Sequence, residues 1–228
     1  MMALTDPEKG RFLQGFFKTG KGQYGEGDRF LGITVPAVRK LSKEFRGLRL
    51  RDLEHLLGSP YNEERLLGLL ILVEQYRRGA AEVREGVARC YLRNRRQVNN
   101  WNLVDSSAPY ILGPHLQWGS RALLYRLVRS NCLWERRIAV LATFAFIREG
   151  DFSDTLRLTE LLLEDKEDLM HKACGWMLRE IGKRDQPVLE AFLQRHGRVM
   201  PRTMLRYAIE RFSPAERRVY LAPSPAGV

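Results

Sequence analysis

The sequence of 228 residues holds no apolar run of about 18 residues, which excludes a membrane-spanning helix. Cysteine is scarce: Cys90, Cys132 and Cys174 stand far apart, an odd set that suits a reducing cytoplasm and excludes a disulfide scaffold. The four histidines, His55, His115, His171 and His196, have no ligand spacing among themselves or with the cysteines, so no metal site is expected. The opening MMALTDPEKGR lacks an apolar stretch, and no signal peptide is expected from it. Alternating apolar and polar residues are missing as well, so no strand is predicted. Lysine is also sparse, since 30 of the 38 basic residues are arginines.

What is present is apolar residues at 44%, enough for a continuous core, and a formal net charge of +11. Arginine delivers forked, planar hydrogen bonds that suit phosphate, so an Arg-dominated basic chain points toward nucleic acid. Residues 195–218 hold seven arginines against two acids, whereas 151–168 hold seven acids against two bases. The acidic run reads as a solvated face with no site in it. Gly20-Lys-Gly22-Gln-Tyr-Gly25 imitates a dinucleotide fingerprint and Gly15 to Gly22 a phosphate loop. Neither follows a strand, and Gly22 stands where a phosphate loop needs Ser or Thr, so no nucleotide cofactor is expected.

Helical period runs through nearly the whole chain. Asp6-Pro7 opens a first helix with Phe12, Leu13, Phe16 and Phe17 on its expected buried side, and Thr34 with Pro36 opens a second. A dense apolar helix is predicted over 62–78, and others near 80–95, 99–111, 120–129, 133–148, 153–164, 168–182, 185–196 and 200–212. Aligned, the helices holding Arg65, Trp101, Arg137, Lys172 and Arg206 recur at spacings of 36, 36, 35 and 34 residues. A steady period with one helix between each pair predicts an all-α superhelical solenoid of HEAT-like antiparallel helix pairs with a concave groove. One domain is expected over 1–228, with a short flexible tail from about 222.

That register stacks Arg65, Trp101, Arg137, Lys172 and Arg206 into one inner column. Asp105 and Trp176 follow one turn later on their helices. A basic column interrupted by two indoles and a carboxylate reads as a groove for a polyanion; a Trp in a helix is otherwise an ordinary core residue.

Three segments carry a resemblance: NNWNLVDSSAPYILG, LWERRIAVLATFAFI and HKACGWMLREIGKRD. With GKGQYGEGDRFLGITVPAVRK near the N-terminus, they resemble the AlkD family of DNA alkylation repair enzymes, in order and from about Phe12 to Arg211. The resemblance implies a HEAT-like superhelix that releases N3- and N7-alkylated purines from duplex DNA, without metal or cofactor. Position by position it implies that Trp101 and Asp105 form the family's Trp-x-x-x-Asp pair. Arg137 takes the place of its arginine, Trp176 that of its second tryptophan, and Tyr24 that of an aromatic near the lesion. The chain departs from the family's prototype at Asn100 and Asn102, where a second Trp and an acid stand.

An alkylated purine already carries positive charge and leaves readily, through a sugar with oxocarbenium character. Asp105 would stabilise that cation and position water. Trp101 and Trp176 would hold the cationic base against an indole face. Arg137, Arg65, Lys172 and Arg206 would grip phosphates. The expected protein is a monomeric, cytoplasmic, monofunctional glycosylase acting on double-stranded DNA with alkylated bases. A non-catalytic DNA-binding protein of the same fold, or a protein-interaction scaffold, are the alternatives.

Overall fold

The computed structural model describes residues 1–222; the tail expected beyond them lies outside the described residues. Among these residues the chain is helical, and its β pairing is a single isolated bridge between Arg29 and Tyr61. The backbone divides into two compact units, Met1–Gly119 and the residues from Ser120 on.

The first unit is built around α4 (Asn62–Arg78). On it pack α2 (Val35–Glu44) and α3 (Leu50–Leu57), then α5 (Ala81–Arg93) and the short α6 (Trp101–Asp105). The uninterrupted stretch Leu66–Leu72 is buried throughout, as expected of a helix covered on several sides. Leu69, Ile71 and Leu72 are fully buried, and truncating such a leucine to alanine costs about 2–5 kcal/mol. α1 (Pro7–Phe16) starts where the sequence places it, with Asp6 accepting from the Lys9 amide and Pro7 in the first turn. α7 (Leu112–Leu116) lies against α5.

The second unit repeats the plan around α12 (Asp168–Gly182). It packs against α9 (Leu133–Ala142), α10 (Phe144–Arg148), α11 (Ser153–Leu161), α13 (Gln186–His196) and α14 (Arg202–Ala208), and α8 (Ala122–Leu127) packs on α9. Gly175 permits the α12–α14 approach: a Cβ there would sit 2.5 Å from the Met204 carbonyl oxygen and from the Tyr207 Cβ. α15 (Pro214–Leu221) closes the described chain with a capping box between Ser213 and Glu216.

Four sequence expectations change. The helix expected over 99–111 stops at Asp105, and the one over 133–148 breaks at Thr143, whose hydroxyl donates to the Val140 carbonyl at 2.7 Å. The face of α1 expected to be buried is turned out: Phe12 is 70% and Phe16 56% exposed, and of the four apolar residues Phe17 is the buried one.

The fourth concerns the repeat register. Arg65 donates to the Ser59 carbonyl at 2.8 Å, Arg136 to the Ser130 carbonyl at 2.9 Å, and the His171 ring meets the Asp165 carbonyl at 2.5 Å. Each is the fourth residue of its helix and ties that helix to the carbonyl six residues back. The equivalent of Arg65 is therefore Arg136, not Arg137. Trp101, the first residue of α6, belongs to neither position. The near-equal spacings join different helix positions: Arg65 is the fourth residue of its helix, Trp101 the first, and Arg137, Lys172 and Arg206 the fifth.

Candidate nucleic-acid interface

The first unit holds Tyr24, Arg65, Trp101 and Asp105. Trp101 opens α6, where the Asn100 side chain caps the helix by accepting from the Trp101 amide at 2.8 Å. Its indole is half-buried and stacks on Phe17, with centroids 5.0 Å apart and planes 13° from parallel. Phe16 meets it edge-on at 6.2 Å. One indole face is therefore occupied by Phe17, and a base could use only the other. Tyr24 is half-buried too, and its hydroxyl donates to the Phe16 carbonyl at 3.4 Å, so Tyr24 and Trp101 meet the same phenylalanine.

Asp105 lies one helical turn after Trp101 on the same face of α6 and is half-buried. Its charge reaches the interior. Burial pushes the Tyr91 hydroxyl above its ordinary value; the Ser107 bond opposes that rise and the negative charge of Asp105 adds to it.

Arg65 is not at the surface. Its guanidinium is 4% exposed and pairs at 2.5 Å with Asp28, itself 3% exposed. The expectation that Arg65 grips phosphate is thus corrected: the residue is spent on an internal ion pair.

Around that pair lies a polar cluster that the sequence reading missed. Asp28 also accepts from Asn62 at 2.9 Å and from Asn100 at 2.8 Å. Asn62 in turn accepts from Asn102 at 2.7 Å. Nearby, the buried carboxylate of Glu63 accepts from the amides of Leu31 and Gly32 at 3.0 and 2.9 Å. Asp28 and Glu63 thereby strap the 17–33 loop onto α4, and Asp28 reaches the cap of α6 as well. Gly25 makes the strap possible, because a Cβ there would fall 2.4 Å from the Phe17 carbonyl oxygen and 3.3 Å from the Asn100 amide nitrogen. Asn100 and Asn102 are integral to this cluster. The available signal was the pairing of a glycine-flanked acid with asparagines at the starts of two helices.

The second unit holds Arg137, Lys172, Trp176 and Arg206. Arg137 is buried and donates to the Leu169 carbonyl, so the open projection expected of it is not found. Its neighbour Arg136 pairs with Asp165 at 2.7 Å. Lys172 is half-buried and pairs with Asp168 at 2.8 Å, while Arg206 is exposed. Trp176 is half-buried, lies 6.3 Å from Phe144 with a tilt of 39°, and donates to Glu180 at 3.2 Å. Burial raises the Glu180 carboxyl; the Lys183 hydrogen bond and charge, with bonds from Trp176 and Arg184, outweigh it and hold the group below its usual range. No cluster of metal-ligating side chains occurs among the described residues.

Packed short helices and a strongly basic sequence define an all-helical, solenoid-like protein. The profile of the DNA alkylation repair enzyme family matches residues 1–212, and the chain belongs to that family. It thus acts in the repair of alkylated DNA, with DNA as its substrate. A solved structure titled a predicted DNA alkylation repair enzyme from Enterococcus faecalis shares the fold, with a TM-score of 0.68 at 16% identity. The similarity covers 92% of this chain and 97% of that one. No curated protein matches the sequence.

Proposed function

We propose that the chain is a monofunctional DNA glycosylase that hydrolyses the N-glycosidic bond of N3- and N7-alkylated purines in duplex DNA. The observation that carries this reading is the placement of Trp101 and Asp105 on one face of α6 in a chain of the DNA alkylation repair family. In the reaction the C1′–N bond breaks and the cationic purine takes the bonding electrons, leaving as a neutral base. The sugar becomes oxocarbenium-like. The Asp105 carboxylate stabilises that charge and orients the water that adds to C1′, and the water's extra proton passes to solvent. The indole of Trp101 holds the cationic base, an attraction of about 0.5–2 kcal/mol.

In the second unit, exposed Arg206, with Lys172 and Trp176, meets the DNA backbone and sugars. Lys172 is ion-paired with Asp168, an engagement that favours hydrolysis over Schiff-base chemistry. The protein works as a monomer, in the cytoplasm, and takes no cofactor.

The test is single-turnover incubation with a duplex containing N7-methylguanine. Release of free base from a strand that stays intact until alkali is added supports the reading. Absence of base release, with the DNA bound, would overturn it.

A further inference from the structure

The aromatic face of α1 was expected inside and is found outside. Phe12 and Phe16, four residues apart, share one face of the helix, with centroids 6.5 Å apart and planes 16° from parallel. They are continuous with the candidate site: Phe16 and Trp101 form a T-shaped pair, Trp101 stacks on Phe17, and Phe17 stacks on Phe30 at 4.7 Å. The inner rings are held, because Phe17 is buried and the loop beyond it is strapped by Asp28 and Glu63. An exposed pair of rings thus rests on a rigid aromatic base.

Its surroundings are positively charged. Residues 9–25 carry Lys9, Arg11, Lys18 and Lys21 and no acid; Glu8 and Glu26 flank the stretch. Arg11, Lys18 and Lys21 are exposed, whereas Glu26 is engaged with the Gly22 amide at 2.8 Å. Exposed rings set among cations are the combination that receives nucleobases, with stacking on the π-faces and phosphates on the ammonium and guanidinium groups.

We propose that Phe12 and Phe16 form a stacking platform for nucleobases of the DNA substrate, extending the surface that begins at Trp101. This rests on the reading of the chain as a DNA enzyme. Charge complementarity selects the occupant: an apolar protein partner would gain nothing from the cations, and a polyanion without bases would gain nothing from the rings.

The test uses the full chain and a duplex carrying 2-aminopurine at or beside an N7-methylguanine. Both rings are largely exposed, so Phe12→Leu/Phe16→Leu should fold as the parent does, which thermal unfolding checks. The double variant should bind the duplex roughly 5-fold to 140-fold more weakly, the range for one lost base–aromatic stack, and lose the 2-aminopurine fluorescence change. Phe12→Tyr/Phe16→Tyr should restore both. The salt slope of binding should stay unchanged in the leucine variant and fall in Lys18→Ala/Lys21→Ala.

Parental affinity and fluorescence change in the leucine variant would overturn the platform. So would a parent that sediments as a dimer and a leucine variant that is monomeric, since the face would then belong to a second copy. Base release with ring-independent binding defeats the platform alone, whereas ring-dependent binding without base release defeats the glycosylase reading alone.

Discussion

Replacing Asp28 with asparagine keeps its shape and removes the negative charge that faces Arg65. Both side chains are almost wholly excluded from solvent, at 3% and 4% exposure, so water cannot take over the role of the lost partner. Arg65 would keep its bond to the Ser59 carbonyl, but its Nε already has no hydrogen-bond partner. An uncompensated buried charge costs about 3–5 kcal/mol, against a total stability of about 5–15 kcal/mol for a domain.

Asp28→Asn should therefore lower the urea midpoint sharply with little change in the slope. The loss should extend to the site, because Asn100 gives its amide to Asp28 while capping α6 at Trp101. Pairing Asp28→Asn with Arg65→Met removes the stranded cation, and the double variant should regain most of the stability. Replacing both members of a buried pair is often close to neutral. The assay is urea unfolding followed by far-ultraviolet circular dichroism for the parent, both single variants and the double. An Asp28→Asn protein within about 1 kcal/mol of the parent, or two losses that simply add, would refute the assignment of Asp28–Arg65 as a coupled buried pair.

Arg206→Ala, which removes an exposed cation, should weaken binding to undamaged duplexes alike and reduce the log–log salt slope by about one, as fluorescence anisotropy at several salt concentrations would show. Cys132 is exposed, whereas burial pushes the Cys90 thiol up to about 11 and the Cys174 thiol up to about 12. Iodoacetamide on the folded protein should thus label Cys132 alone by peptide mass analysis, and labelling of Cys174 at an equal rate would contradict its burial. The depressed Glu180 carboxyl contributes stability that is complete above its ordinary titration range and is lost as the pH falls through the lower folded value. Glu180→Gln should accordingly flatten the acid limb of stability against pH, read from thermal midpoints between neutral and strongly acid conditions.

Much of the helical plan was legible because its signals are local. Asp6-Pro7 and Thr34 cap the helices they were expected to open, and the apolar stretch inside 62–78 is buried in a helix of those bounds. Three helices were not foreseen: α3, α7, and α15, whose Ser213-Pro214-Ala215-Glu216 start is a readable capping box.

The site was legible only in part. Trp101 and Asp105 do share a face of α6, since four residues is one turn whatever surrounds the helix. Arg65 was misread because an arginine's burial depends on a partner distant in sequence, here Asp28, which no periodicity reveals. The same limit hid the asparagine cluster. Phe12 and Phe16 show the converse failure: helical spacing says which rings share a face, and says nothing of whether that face is covered.

The most direct test of the central claim is the rate of N7-methylguanine release by Asp105→Asn under single-turnover conditions, with DNA affinity and thermal stability measured on the same preparation. If the carboxylate stabilises the oxocarbenium-like sugar, excision should fall by about 10²-fold or more while the fold is kept and affinity holds or rises, because one negative charge has left a surface that meets phosphates. A stable Asp105→Asn protein that excises the base at the parental rate would contradict the mechanism.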